Sequence, residues 1–151
     1  MKNKFVVLIF LILCCCSKNT SNKIQILKDE VINNADLTSY TILSNHLEDE
    51  NNYQDLLPYS LKIKNTNKVG CYDFYINYIK IAINSKFEIN NILKLEKPEQ
   101  DFLIYILNKG ALSDETRCKE TLIEYYNNGV VVEKNLSKAD SIYKSFEYPV
   151  N

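Results

Sequence analysis

Residues 118–146, CKETLIEYYNNGVVVEKNLSKADSIYKSF, decide the fold, because they hold two amphipathic helical patterns separated by one well-defined stop and one well-defined start. Cys118, Leu122 and Tyr126 recur at four-residue steps and so share one helix face. Gly129 follows the apolar run and can take the left-handed backbone that satisfies the last carbonyls of a helix. Asn135 then suits the N-cap of a second helix, whose Ala139 permits close approach while Ile142 and Tyr143 supply buried area. The stretch therefore predicts a helix, a short turn and a second helix packed back on the first.

The same pattern extends towards the N-terminus. Asp36 caps a predicted helix to about Glu48 with Leu37, Tyr40, Leu43 and Leu47 on one face. Asn51 or Asn52 starts a second through Tyr53, Leu56, Leu57, Leu61 and Ile63, in which Pro58 should kink the helix or delay its regular part. A third runs from about Gly70 to Ile83, and residues 84–97 read as an irregular connection. Pro98 suits the first turn of a fourth helix reaching Lys109, and Ser113 or Asp114 can cap the fifth. Six helices in three antiparallel pairs, at roughly 34 residues per pair, have the length signature of a tetratricopeptide-like array. The expected fold is all-α, a short right-handed solenoid of about three antiparallel helix pairs over residues 35–148, in which stacked pairs build the core that no single pair can.

Within residues 118–146 the spacing resembles one Sel-one-type repeat, a relative of the tetratricopeptide repeat. Cys118, Leu122 and Tyr126 match its small, Leu and Tyr positions; Gly129, Val132, Lys138, Ala139 and Tyr143 match its loop and second helix; Asn135 stands where Asp is usual. Val131 replaces the second loop glycine, which leaves the loop reshaped or strained. The resemblance covers 29 residues and implies a structural role for these positions. It also implies that the first helices of the pairs line a concave face, where Tyr72, Tyr75, Tyr78 and Tyr125 are candidate contacts for a partner.

At the other end, MKNKFVVLIFLILCCCSKNT has a basic start at Lys2 and Lys4, nine apolar residues from Phe5 to Leu13, and a cysteine cluster. Nine helical residues rise about 14 Å against a hydrocarbon layer of about 30 Å, which suits a cleaved leader better than a permanent span. The segment resembles a bacterial lipoprotein signal over residues 1–15, with Cys16 as the lipidated residue, Leu13 three positions before it, and Cys15 as the alternative. The resemblance implies diacylation and anchoring in the envelope, and two or three acyl chains satisfy the need for more than one. Ser17 and Lys18 lack the aspartate associated with inner-membrane retention, which favours the outer membrane. Residues 16–34 read as the lipidated end and a polar tether, whose second half is either a docked helix or an edge segment.

Of the 18 basic residues, Lys2 and Lys4 fall in the leader, so 16 face 19 acids in the remaining 136 residues, a net charge of -3. That excludes a nucleic-acid footprint. Only Cys71 and Cys118 follow the cluster, and the spacing of packed helix axes, about 8 to 10 Å, favours two buried thiols over a bridge. His46 has no evident partners for metal or catalysis, and no cofactor or metal is expected. Glu48, Asp49, Glu50, Glu96, Glu99 and Asp101 fall at helix ends and turns, where solvated acids are ordinary. The expected function is a membrane-anchored, non-enzymatic repeat domain that binds a protein or peptide in the envelope, as adaptor or immunity-like protein. The alternative is a glycan-binding protein or hydrolase using scattered Asp, Glu and Tyr.

Overall fold

The computed structural model describes residues 22–66 and 70–146, and the leader, with Cys15 and Cys16, lies outside them. The regular structure of the described residues is entirely helical, with no strand among them. Helix α1 covers residues 22–34, followed by α2 (Leu37–Asp49), a 3-10 turn (Tyr53–Leu56), α3 (Leu57–Thr66), α4 (Cys71–Ile83), a 3-10 segment (Ile89–Lys94), α5 (Lys97–Leu112), α6 (Thr116–Asn128) and α7 (Leu136–Lys144).

Local chemistry accounts for most boundaries. Asp36 accepts the Ser39 N–H at 2.7 Å and starts α2. Pro58, which has no N–H to give, sits in the first turn of α3, and the chain ahead of it winds as a 3-10 turn, so the proline delays the regular helix. Glu96 and Glu99 close a capping box on α5, with proline in the first turn. Asn135 accepts the Lys138 N–H at 2.9 Å and starts α7.

Two sequence expectations are corrected, and one open alternative is decided. Residues 22–34 are a helix whose Leu27 and Val31 are buried, which is the docked-helix alternative for the second half of residues 16–34. Helix α5 runs on to Leu112, which makes Ser113 its C-cap and moves the start of α6 to Glu115. The connection after α4 holds the Ile89–Lys94 turn, which buries Ile92.

Helix α3 packs on α4, α4 on α5, α5 on α6 and α6 on α7, so most contacts join sequence neighbours. Two apolar clusters result. Leu27, Val31, Tyr40, Leu43, Leu47, Tyr53, Leu56 and Ile63 join α1 to α3. Phe74, Tyr75, Ile79, Leu103, Ile106, Leu107, Leu122, Tyr125 and Ala139 join α4 to α7. At about 25 cal/mol per Å² of apolar area, such burial is the dominant favourable contribution to the fold. No helix among the described residues is long and apolar enough to cross a membrane.

Candidate functional site: a polar trough across three helices

Tyr40, Ser44 and Glu48 lie at four-residue steps on α2, and Asp73, Asn77 and Lys80 share a face of α4. These two faces, with Arg117 from α6, line a depression of about 370 Å³. Its floor is hydrogen-bonded: the buried Asn77 amide donates to Tyr40 Oη at 2.8 Å, and Lys80 Nζ reaches Glu48 Oε1 at 2.6 Å. Burial raises the Tyr40 phenol above its usual range, so its hydroxyl stays protonated. Burial also raises the Asp73 carboxyl, against the opposing pull of Arg117 and Lys80. The Arg117 guanidinium stands 5.6 Å over the Tyr72 ring.

Two further depressions continue the trough. One of about 450 Å³ shares Glu48 and Lys80 and reaches Asn51, Tyr53 and Phe87. The other, of about 300 Å³, shares Asp73 and Arg117 and reaches Tyr72, Asp114 and Glu115. The trough thus alternates donors and acceptors, acids and bases, over three helices. Such a lining offers donors and acceptors to polar groups, and within it the Ser44 hydroxyl donates to Glu48 Oε1 at 3.3 Å.

Glu115 closes one end. Its carboxylate accepts the N–H groups of Cys71 and Tyr72, both at 3.1 Å, and the Cys118 thiol at 3.4 Å. One buried acid therefore caps the start of α4 from the start of α6, and burial raises its carboxyl.

The four candidate tyrosines do not form one face. Tyr75 and Tyr125 are fully buried and hydrogen-bond to each other, with Tyr125 also donating to Ile89 O at 3.0 Å; they hold the core and are closed to a partner. Tyr78 donates to Glu99 on α5 at 3.0 Å, and only Tyr72 reaches the trough. The trough residues Asp73, Asn77, Lys80 and Arg117 escaped the sequence reading, because a single polar residue within a helix carries no local mark of the two helices it faces. The spacing of Tyr40, Ser44 and Glu48 opposite Asp73, Asn77 and Lys80 was the available signal.

Of the repeat-like positions, Cys118, Leu122, Tyr126 and Ala139 are buried together and Val132 is half-buried. Gly129 ends α6 at φ 70, and Lys138 Nζ stands 4.5 Å over the Tyr126 ring. Tyr143 is corrected: it is 61% exposed, while Ile142 packs on the core in its place. Cys71 and Cys118 are free and buried. His46 pairs with Glu50 at 3.4 Å, away from the trough, and Asp101 pairs with Lys97 at 2.8 Å. Among the described residues no group of His, Cys, Asp or Glu is placed to hold a metal ion. No family model, curated protein or solved structure matches this chain.

Proposed function

We propose that this chain is a lipid-anchored binding module of the bacterial envelope, whose helical pairs act as a short tetratricopeptide-like or Sel-one-like solenoid and hold an extended segment of a protein or peptide partner. On this reading it is an adaptor or immunity-like protein, not an enzyme. Cys16 carries the anchor, with Cys15 as the alternative, and the outer membrane is favoured by Ser17 and Lys18. Packing between sequence neighbours supports the solenoid, since each helix meets chiefly the one before and the one after. The single observation that carries the binding role is the trough: nine polar or charged side chains from α2, α4 and α6 converge on one open depression. An extended segment laid there exchanges water for a row of directed hydrogen bonds, a mode that rewards length and sequence more than apolar area.

Cross-linking of the intact protein in its own envelope tests this. The wild type should yield a stoichiometric protein partner, and Arg117→Glu with Asp73→Lys should lose it while keeping the circular dichroism of a helical fold. Tyr105→Ser, at an exposed position away from the trough, should keep it. Equal recovery by all three forms, or recovery of no partner, sinks the reading. Intact mass of the membrane-extracted protein separately tests the anchor, because a full-length unmodified mass excludes it.

A further inference from the structure

We propose that Cys71 and Cys118 are a disulfide pair, a covalent modification site that staples α4 to α6. Two observations carry it. Glu115 Oε2 accepts the Cys71 N–H at 3.1 Å and the Cys118 thiol at 3.4 Å, so one carboxylate oxygen touches both residues. A Cβ placed on Gly110 would stand 2.8 Å from Cys71 Cβ and closer still to Cys118 Sγ, so both side chains meet at the same point beside α5. That meeting exists because Gly110 has no side chain, and it removes the objection from ordinary helix spacing. The structure holds the dithiol state, with both thiols buried. Closing the bond sets the two Cβ atoms about 3.5 to 4.5 Å apart.

The chemistry balances with a disulfide oxidant such as oxidised glutathione. The Cys71 thiolate attacks one glutathione sulfur, breaking its S–S bond and releasing one glutathione thiolate, which takes a proton from solvent. The Cys118 thiol then loses its proton to solvent, the Cys118 thiolate attacks Cys71 Sγ, and the second glutathione leaves with its electron pair. Two electrons go from the two cysteines to the oxidant. Burial raises both thiols and keeps each unreactive alone, so formation belongs to folding, when the chain is still open. Once formed, the bond joins residues on the two helices that frame the Tyr72 end of the trough. It stands independently of what the trough binds.

The test is an equilibrium one, so slow access to buried thiols does not obscure it. The full chain is unfolded and equilibrated in one glutathione redox buffer under native conditions and again in urea, and the linked peptide containing Cys71 and Cys118 is quantified by mass. Mapping by peptide keeps Cys14, Cys15 and Cys16 out of the count. A native fold that brings the pair together should raise the ratio of linked to free thiols about tenfold over urea. By the same coupling, the linked form should melt at a higher temperature, and Cys118→Ser should melt at a temperature indifferent to reductant. A native ratio at or below that in urea overturns the proposal.

Discussion

Glu115 Oε2 lies 3.1 Å from the backbone nitrogen of Cys71, 44 residues earlier in the chain. A helix start normally finds its acceptor within its own first turn. Gly70 precedes α4 and has no side chain, so the acceptor comes from α6 instead. The arrangement ties two helix starts to one buried carboxylate, and it makes the register of α6 against α4 a matter of hydrogen bonding as well as apolar packing.

Replacing Glu115 therefore tests tertiary structure, not only a local cap. Glu115→Ala leaves the Cys71 and Tyr72 N–H groups without their acceptor and should cost about 1 to 3 kcal/mol in urea unfolding. Glu115→Gln keeps one carbonyl oxygen and should cost less. An alanine variant as stable as the wild type would show that water replaces the carboxylate without penalty.

Gly110→Ala should be destabilising for a separate reason. The new methyl would stand 2.8 Å from Cys71 Cβ and Glu115 Oε2 and against Cys118 Sγ, so a neighbour must shift. Overpacking of this kind costs about 1 to 3 kcal/mol. Cys118→Ala removes the nearest of those atoms, so the double variant should be more stable than the two single losses predict by addition. Strict additivity in a double-mutant cycle would place the clash elsewhere.

Tyr75 and Tyr125 make an asymmetric pair. Tyr125 donates to Ile89 O, which leaves Tyr75 as the donor to Tyr125 Oη. Tyr125→Phe thus strands both the Ile89 carbonyl and the Tyr75 hydroxyl and should cost about 1 to 3 kcal/mol, whereas Tyr75→Phe loses one hydrogen bond and should cost about 0.5 to 1.5 kcal/mol. Thermal melts of the two variants give the order directly. The reverse order would contradict the donor assignment.

Local signals were legible in the sequence, and relations between distant segments were not. Asp36, Pro58, Gly129 and Asn135 each act within a few residues, and each marks a boundary that the sequence already indicates. Helix α1 was ambiguous because Leu27 and Val31 are buried while Ile26 and Ile32 stay 55% and 43% exposed, which blurs the period. Glu115 reads as an ordinary acid at a helix start until α4 is placed beside it. The tyrosines misled for the same reason: apolar area and a polar tip serve a buried hydrogen bond as well as a binding face, and only packing separates the two.

Asp73 gives a pH signature. Burial raises its carboxyl in the folded chain above the ordinary value of 3.8, so the folded state holds the proton more tightly than the unfolded state. That contribution to stability is fully present below about pH 3.8 and is lost as pH rises through the folded value. Asp73→Asn removes the titration, so the melting temperature of the variant relative to wild type should climb from pH 4 towards neutrality. Parallel curves for the two proteins would show that Arg117 and Lys80 fully offset the burial.

Val131 stands at φ 63 and Gly129 at φ 70, two residues apart in one turn, and only the glycine is suited to that conformation. A β-branched side chain in the left-handed region costs about 1 to 2 kcal/mol, and glycine's greater freedom in the unfolded chain returns about 0.5 to 1 kcal/mol of that. Val131→Gly should therefore stabilise the protein by up to about 1 kcal/mol, less whatever its partly buried side chain contributes to packing. Gly129→Ala should act in the opposite sense, because it puts a Cβ at positive φ and 3.3 Å from Lys134 Cβ. Urea midpoints of the two variants should thus move apart about the wild-type value. If Val131→Gly lowers the midpoint, then packing of the Val131 side chain outweighs the strain of its backbone, and the valine is there for its contacts.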